Sequence, residues 1–284
     1  MKKLKVLIIV ISALILASAA TLAINTAMNK TVKLTQYTFH HNDIPYNFDG
    51  YKIFLISDQH EAPFADQILA HIEDTRPDVI IFCGDMVQLP GYSFEETKKI
   101  AEGVGDTIPM YAVSGNHESQ NEEYEHIIGN LWDAGIVWLE NDSKRIKRDG
   151  DIIWLIGAKD SGKNELREEE VQEDVISKIE GLIPEDSGEF SILINHRADM
   201  YPYLKNIGVD LILSGHMHGG IIRLPFLGGV IGHDIYDSSI FPAYDYGFFS
   251  EGAAAMIVSG GCDQNVSKKR YFNQPEVVLI TLDK

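Results

Sequence analysis

The sequence predicts an α/β fold, a four-layer αββα sandwich in which two mixed β-sheets are flanked by helices. Short apolar runs recur along the chain. They are too short for helices and lack polar alternation, which is typical of strands buried on both faces. Longer segments of mixed polarity separate them, as expected of crossover helices that cover a sheet. The chain has 284 residues, 45% of them hydrophobic, which is enough for one large core.

The predicted elements follow one another in a regular order. Six runs predict strands: Tyr51 to Ile56, Val79 to Cys83, Met110 to Val113, Ile152 to Ile156, Ser191 to Ile194 and Leu211 to Leu213. Four segments predict helices: Ala65 to Asp74, Phe94 to Glu102, Glu122 to Ala134 and Glu168 to Leu182. After a part rich in glycine and aromatic residues, two more runs predict strands: Ala255 to Val258 and Val277 to Leu282. No internal repeat or long linker is present, so we expect one catalytic domain over residues 30–284.

Residues 1–29 have the composition of a signal anchor or a signal peptide. Three lysines among the first five residues precede an uncharged stretch that is apolar on all sides. The positive flank stays in the cytoplasm, so we expect the chain after Lys30 on the extracytoplasmic side of the cell membrane. Ala17-Ser18-Ala19 is a possible cleavage site, and cleavage there would release a secreted protein. The apolar run continues to Ile24, however, which favours an uncleaved, single-pass anchor.

Charge and cysteine content exclude two classes of function. The formal net charge is −18, so binding a nucleic acid polymer would work against the protein's own field. Cys83 and Cys262 are the two cysteines, and that number alone excludes a thiolate metal site. They could form a disulfide only if the fold brings them together. Cys83 lies within an apolar run and is interpreted as a small buried hydrophobic residue.

Five of the apolar runs are followed at once by potential metal ligands. The clusters are Asp58-Gln59-His60, Gly84-Asp85, Gly115-Asn116-His117-Glu118, His196 and Gly215-His216-Met217-His218. In an open α/β sheet the site lies at the carboxyl ends of the strands, so we expect the five clusters to converge on one crevice. A carboxylate such as that of Asp85 can bridge two cations about 3.5–4 Å apart, the arrangement used for phosphoester hydrolysis.

Each cluster alone has an ordinary structural explanation. A histidine after a strand is often structural, Gly84-Asp85 could be a turn, and Asn116 could cap a helix. The occurrence of all five at strand ends favours a metal site. The donors are oxygen and nitrogen without sulfur, which favours Mn, Fe or Zn over Mg or Ca.

The five clusters, in this order, resemble the motifs of the calcineurin-like metallophosphoesterase superfamily over Tyr51 to Leu282. The resemblance implies two divalent metal ions, the first held by Asp58, His60, Asp85 and His218. It implies a second ion held by Asp85, Asn116, His196 and His216. It also implies that His117 is catalytic, contacts the substrate phosphate together with Asn116, and helps to protonate the leaving alkoxide. The expected reaction is in-line attack on a phosphate monoester or diester by a hydroxide that bridges both ions.

Further residues resemble a narrower branch of membrane-associated bacterial phosphoesterases: Gly219-Gly220, Arg223-Leu224-Pro225, and Arg270 ahead of Pro275-Glu276-Val277. Some members of that branch act on glycolipid precursors such as UDP-diacylglucosamine, which implies a lipid-linked substrate. Gln59 and Arg197 depart from the branch, which more often has an apolar and a neutral residue there. The apolar segment from Ile221 to Phe249 either borders the cleft and contacts an acyl chain, or packs against a sheet edge.

Two other functions are compatible with parts of the sequence. The chain could be a binding protein that keeps the fold as a scaffold without catalysis, or a phosphodiesterase of small nucleotides. Scaffold relatives usually lose ligands, whereas every ligand position and His117 are filled here, which favours the enzyme.

Overall fold

The chain forms one long N-terminal helix followed by short strands and helices. The computed structural model describes residues 2–161, 169–184, 188–224, 226–232, 240–264 and 269–284. Its helices are α1 (Lys2–Met28), α2 (Ala65–Thr75), α3 (Glu95–Val104), α4 (Asn116–Ser119), α5 (Tyr124–Asp133), α6 (Glu169–Glu180) and α7 (Tyr201–Leu204). Its strands are β1 (Lys33–His40), β2 (Lys52–Ile56), β3 (Val79–Cys83), β4 (Met110–Val113), β5 (Ile136–Trp138), β6 (Asp142–Arg148), β7 (Asp151–Gly157), β8 (Ser191–Arg197), β9 (Leu211–Gly215), β10 (Arg223–Leu224), β11 (Gly228–Gly229), β12 (Gly247–Phe249), β13 (Ala255–Val258) and β14 (Glu276–Asp283).

Two six-stranded mixed sheets pack face to face. The first has the order β1-β14-β2-β3-β4-β5, in which β2 to β5 are parallel and β14 is antiparallel to β2. The second has the order β12-β13-β9-β8-β7-β6, in which β7, β8, β9 and β13 are parallel and both edge strands are antiparallel. The carboxyl ends of β2, β3, β4, β8 and β9 therefore meet at one end of the sandwich.

Three buried apolar clusters define the four layers. The first joins helices α2, α3 and α5 to the outer face of the first sheet, with Ile68 of α2 and Phe82 of β3 among its members. The second fills the space between the sheets, where Ile81 of β3 and Leu213 of β9 both lie. The third joins the second sheet to α6 and α7, and includes Tyr201. The predicted αββα sandwich is therefore confirmed.

Strand β3 explains why the predicted strands lack polar alternation. Its five residues are all buried, and successive side chains enter opposite clusters. Ile80 faces the helices, whereas Ile81 and Cys83 face the second sheet. Both sides of the strand thus meet apolar neighbours, as expected in the centre of a sandwich. The interpretation of Cys83 as a buried hydrophobic residue is confirmed.

The N-terminal helix α1 differs from the other helices in exposure and composition. Within the described residues it is the one helix long and apolar enough to cross a membrane. Its apolar side chains are exposed, and Asn25 is its buried residue. A helix with apolar residues all round and no protein against them is typical of a membrane span or a signal sequence.

Candidate metal centre

The ends of five parallel strands bring the predicted site residues together. Asp58 follows β2, Asp85 follows β3, and Asn116 opens α4 three residues after the end of β4. His196 lies near the end of β8, and His216 directly follows β9. The first sheet and the second sheet are joined here, because the backbone N–H of His216 donates to the Asp58 carboxylate at 3.0 Å.

The candidate ligand atoms form two groups that share Asp85. Ligand atoms of the first group lie within 4.8 Å of one another, and the group consists of Asp58, His60, Asp85 and His218. The same limit holds for a second group of Asp85, His196 and His216. These are the carboxylate and imidazole members of the two predicted ligand sets, so the predicted convergence is observed. That these side chains bind metal stays a prediction.

Three of the histidines are held by a hydrogen bond at the Nδ1 atom. The Nδ1 atoms of His60 and His196 lie 3.0 Å from the carbonyl of Val87 and 2.7 Å from that of Cys83. Nδ1 of His218 lies 3.1 Å from a carboxylate oxygen of Asp263. A partner that accepts at Nδ1 fixes the neutral ring with an unprotonated Nε2, which is the form that coordinates a cation.

The opposite ring nitrogens point at the two aspartates. Nε2 of His60 and of His196 lie 3.6 and 3.4 Å from Oδ2 of Asp85, and Nε2 of His218 lies 3.7 Å from Oδ1 of Asp58. Among the described residues, Nε2 of His60 and Oδ1 of Asn116 are buried without a hydrogen-bond partner. Buried polar atoms normally have partners, and a cation would satisfy these two. The residues therefore fit a metal centre.

The charges of the cluster shift its pKa values strongly. Burial would raise the pKa of Asp85, but the neighbouring imidazoles, His196 first, bring it well below its usual range. Burial likewise opposes a charge on His196, yet Asp85 raises the pKa of that imidazole to about 10. In the metal-free protein a proton on His196 therefore pairs with Asp85. A bound cation would replace that proton.

His60 and His216 stay neutral for a different reason. Burial lowers the pKa of His60 to about 4, an effect that the Asp85 charge only partly offsets. Burial also takes the pKa of His216 well below its usual value, and the Arg197 guanidinium adds to the effect. Arg197 is buried, pairs with Asp160 through Nε at 2.7 Å, and has its Nη1 3.4 Å from Nε2 of His216.

Backbone strain is concentrated in these clusters. Five candidate ligands have positive φ angles, a conformation uncommon for residues other than glycine: Asp58 (50°), His60 (46°), Asp85 (53°), His216 (71°) and His218 (47°). Such conformations cost free energy and persist where the surroundings enforce them, most often at functional sites. The motif glycines allow the close packing. A Cβ on Gly115 would lie 2.2 Å from Oδ1 of Asp85, and a Cβ on Gly215 would lie 1.8 Å from Oγ of Ser57.

His117 lies beside the two groups and outside both of them. Its ring centroid is 4.4 Å from that of His60. The backbone N–H of Leu89 donates to its Nδ1 at 3.0 Å, and its own backbone N–H donates to Oδ1 of Asp85 at 2.8 Å. Because Nδ1 accepts a hydrogen bond, the neutral ring carries its proton on Nε2. The half-buried ring thus offers one N–H donor next to the candidate metal ligands.

Glu118 has a role that the sequence did not reveal. Its buried carboxylate accepts four backbone N–H groups, from Asp85 (2.8 Å), Met86 (2.7 Å), Val87 (2.9 Å) and Gly115 (2.8 Å). Burial and the nearby Asp85 charge raise the pKa of Glu118 to about 7, against the effect of these N–H groups. Glu118 therefore ties the loop after β3 to the start of α4. Its place in the Gly115-to-Glu118 motif was the available signal.

Asp263 and Arg270 are two further residues that the sequence did not assign to the site. Arg270 donates to Oδ1 of Asp263 through Nε at 2.9 Å and through Nη2, and the same oxygen faces Nδ1 of His218. Burial would raise the pKa of Asp263, but Arg270 and His218 hold it well below its usual range. No local pattern marks Asp263. Arg270 was noted only through the branch resemblance.

The segment from Ile221 to Phe249 is described in part. Pro225 and residues 233–239, which include Tyr236, lie outside the described residues. Of the remainder, Phe226 and Leu227 are exposed in the turn between β10 and β11, and Ile240 and Phe241 are exposed nearby. Other members of the segment do pack at a sheet edge: Tyr244 and Phe249 lie against the third buried cluster, and Phe249 belongs to the edge strand β12.

Comparison with known proteins identifies a family model and relatives that match this chain. A family model for calcineurin-like phosphoesterases matches residues 51–220, from the start of β2 to just past His218. The metallophosphoesterase YkuE of Bacillus subtilis is 24% identical over 259 residues, 88% of this chain and 85% of YkuE. Phosphodiesterase YaeI of Escherichia coli is 26% identical over 191 residues, 64% of this chain and 66% of YaeI. The structure of TT1561 of Thermus thermophilus aligns with a TM-score of 0.45 and 13% identity, covering 74% of this chain and 89% of TT1561.

Proposed function

Because the chain belongs to the calcineurin-like phosphoesterase family and is a metal-dependent phosphoesterase, we propose that it hydrolyses phosphodiesters with two divalent cations around Asp85. One observation carries the proposal. Oδ2 of Asp85 lies 3.6 Å from Nε2 of His60 and 3.4 Å from Nε2 of His196, so one carboxylate faces ligands of both groups. The name of the relative YaeI, a phosphodiesterase, supports the diester.

The cation ligands proposed are those of the two groups, with one addition. The first cation would be held by Asp58, His60, Asp85 and His218, and the second by Asp85, Asn116, His196 and His216. The buried Oδ1 of Asn116 supports this addition. Nitrogen and oxygen donors without sulfur favour Mn, Fe or Zn. Two such cations, when bound, would supply an activated water as the nucleophile and would offset negative charge on the phosphoryl oxygens.

His117 is the residue proposed to act on the substrate. Its Nε2–H can donate a hydrogen bond to a phosphoryl oxygen or to the leaving-group oxygen. Transfer of the proton to the leaving group requires a doubly protonated ring, and that ring must give up the hydrogen bond from Leu89. A donor of this kind contributes typically about 10²–10⁴-fold to the rate.

The proposed substrate class is a lipid-linked phosphate ester at the outer face of the cell membrane. Helix α1 is long enough to hold residues 30–284, the proposed catalytic domain, at a membrane. The exposed Phe226 and Leu227 supply apolar surface on that domain. A UDP-linked glycolipid such as UDP-diacylglucosamine has the ester and the acyl chains required. The net charge of −18 argues against nucleic acid polymers. Cleavage of the signal would give a secreted form.

Metal content measured beside activity tests the two-cation proposal. Full-length protein, stripped of metal and reloaded with Mn²⁺ or Zn²⁺, should take up two ions per chain and hydrolyse bis(p-nitrophenyl) phosphate. Asp85→Asn should lose turnover and at least one ion, whereas His117→Ala should keep both ions and turn over about 10²–10⁴-fold more slowly. His126→Ala, an exposed histidine on α5, is the matched control and should resemble the wild type. Uptake of one ion at saturation, or an active Asp85→Asn enzyme, contradicts the proposal.

A substrate panel tests the substrate class separately. The same reloaded protein is assayed with p-nitrophenyl phosphate, cyclic nucleotides and a UDP-linked glycolipid in detergent micelles. The proposal expects the glycolipid to give the highest kcat/KM. Substituting Phe226 and Leu227 by Ser should raise KM for the glycolipid and leave the chromogenic diester unaffected. A preference for cyclic nucleotides would instead identify a small-nucleotide phosphodiesterase with the same metal centre.

A further inference from the structure

A cavity of about 260 Å³ lies between the end of α1 and the segment that precedes β14. Leu22 and Lys30 line it from the N-terminal side, and Lys269, Arg270 and Tyr271 line it from the other side. Arg270 is paired with Asp263, which also lines the cavity, so the exposed Lys30 and Lys269 supply its net positive charge beside apolar surface, in a chain whose net charge is −18. Local positive charge against that background points to an anionic ligand.

Hydrogen bonds fix the two sides of the cavity relative to each other. The side chain of Asn25 is 5% exposed; its Nδ2 donates to the carbonyl of Arg270 at 2.9 Å and its Oδ1 accepts the N–H of Phe272 at 2.8 Å. Nδ2 of Asn29 donates to the same carbonyl of Arg270 at 2.8 Å. Helix α1 is therefore docked on the catalytic domain, and the cavity is a built feature of that junction.

Helix geometry places this cavity at the depth of lipid headgroups. From Lys5 to Asn25 the helix rises about 30 Å, at about 1.5 Å per residue, which matches the hydrocarbon thickness of a bilayer. If the lysines at the start of α1 lie in the inner headgroup layer, Asn25 lies at the outer boundary. Leu22 is then about one turn deeper, among acyl chains, and Lys30 lies in the outer headgroup layer.

Aromatic side chains surround the cavity on the same face. Tyr271 and Phe272 are 37% and 48% exposed, directly beside the docking contacts of Asn25. The neighbouring hairpin of β10 and β11 is hydrogen-bonded to this segment, because the N–H of Arg223 donates to the carbonyl of Tyr271 at 2.9 Å. Its turn exposes Phe226 fully. Exposed aromatic residues are typical of the membrane–water interface.

We propose that this cavity binds the phosphate headgroup of an anionic bilayer lipid, with Lys30 and Lys269 on the phosphate and an acyl chain along Leu22. The proposal rests on the membrane anchor proposed above, and it is independent of which ester the metal centre cleaves. Asp263 belongs both to the cavity wall and to the hydrogen bond with His218. A lipid bound here would therefore lie one side chain away from a candidate metal ligand.

Native mass spectrometry of the full-length protein in a neutral detergent tests this site. Phosphatidylglycerol is titrated against phosphatidylcholine with the same acyl chains, and one phosphatidylglycerol per chain should be retained preferentially. A basic side chain near an anionic membrane surface contributes about fivefold in binding, so Lys30→Gln with Lys269→Gln should weaken retention about thirtyfold. Lys144→Gln with Lys147→Gln removes the same charge from the exposed strand β6 and should leave retention unchanged.

Three results would overturn the lipid site. They are equal retention of the two lipids, undiminished retention by the Lys30 and Lys269 variant, and displacement of the lipid by an equal concentration of inorganic phosphate, which would indicate a site for free anions. Both lysines are exposed, and unchanged thermal unfolding of the variant in detergent alone checks that it folds. Hydrolysis of bis(p-nitrophenyl) phosphate by the same samples reports on the metal centre, so failure of the lipid site and failure of the proposed function are distinguishable.

Discussion

The histidines of the candidate metal centre are held in place in two different ways. His60 and His196 direct Nδ1 to backbone carbonyls of the loop and strand next to them. His218 instead directs Nδ1 to the carboxylate of Asp263, which is in turn held by Arg270. A carbonyl cannot be removed by substitution, whereas a carboxylate can. The part of the site near β3 is therefore fixed by the path of the chain, and the part near His218 depends on side chains of a distant segment.

The largest effect is expected at Glu118, because its side chain holds the backbone of the loop after β3 in place. In Glu118→Gln an NH₂ group replaces one oxygen and faces backbone N–H donors of the loop after β3 or of Gly115. Each buried donor left unpaired costs about 1–3 kcal/mol, so we expect about 3 kcal/mol or more of lost stability. Activity should fall by more than about 100-fold, beyond the usual cost of losing an outer-sphere partner.

Urea unfolding of the metal-free protein and kcat on a chromogenic diester measure the two effects. Glu125→Gln, an exposed glutamate on α5, is the matched control and should change the stability by less than about 0.5 kcal/mol. A Glu118→Gln enzyme with wild-type stability and activity would show that the loop after β3 needs no side-chain support.

The second prediction concerns the side-chain support of His218. In Asp263→Asn the charge that faces Nδ1 of His218 is lost, and Arg270 loses its carboxylate partner. We expect metal affinity at the first group to fall about 10–100-fold, as is usual when an outer-sphere carboxylate is removed. The carboxylate of Asp263 faces His218 of the first group, and the second group shares only Asp85 with the first, so the second group should keep its affinity. Metal titration should resolve one weakened and one unchanged binding step.

Excess metal should restore most of the turnover of Asp263→Asn, because the inner ligands are intact. Asp283→Asn removes a carboxylate from an exposed pair with His40 and should bind both ions as the wild type does. Equal weakening of both binding steps would contradict the separate support of His218.

The same contrast explains how much of the site could be predicted from the sequence. Asp58, Asp85 and His216 directly follow apolar runs, and the rule that strand ends share one edge is enough to bring them together. The contact of Asp263 with His218 spans 45 positions and depends on how the segment before β14 folds back over the site. No periodicity encodes such a contact. Residues that support the candidate ligands from a distant part of the chain, such as Asp263, are therefore visible only in the structure.

The sheets show a similar division between centre and edge. All eight predicted strands and four predicted helices correspond to observed elements, with ends that agree within about three residues over the described chain. The four edge strands of these sheets, β1, β5, β6 and β12, have no predicted counterpart. β6 has the sequence DSKRIKR and a mostly exposed pattern, so it lacks the apolar run that marks a buried strand. Edge strands pair on one side only, and polar side chains there are compatible with strand structure.

A third prediction concerns His60 and His196, the two histidines whose Nδ1 atoms face backbone carbonyls. Burial is the main influence on His60, whose pKa is near 4, whereas Asp85 raises the pKa of His196 to about 10. At about pH 8 His60 is neutral and His196 is protonated in the metal-free protein. A cation that binds the second group must therefore displace about one proton from His196. Below pH 10, its affinity should increase about tenfold for each unit by which the pH is raised.

Calorimetric titration of Zn²⁺ into the metal-free protein measures this proton release, in two buffers with different ionisation enthalpies. About one proton should appear with the ion bound at the second group, and His196→Asn should remove that proton. Binding that is independent of pH between about 7 and 9 would mean that His196 is already neutral.

The smallest effect is expected at Asn25 of α1. Asn25 is the last residue in a series of contacts that runs from His218 through Asp263 and Arg270. Asn25→Ala removes the hydrogen bonds to the backbone of Arg270 and Phe272 and should cost about 1–2 kcal/mol of stability. The guanidinium of Arg270 keeps its own contacts with Asp263 and with the carbonyl of Gly260, so His218 stays supported. Metal affinity and kcat on a soluble diester should change by less than about threefold. Thr26→Ala, one residue along the helix, removes an exposed bond to its own helix and serves as the control. A loss of metal affinity in Asn25→Ala as large as that in Asp263→Asn would mean that helix α1, and not the Arg270 side chain, holds Asp263 against His218.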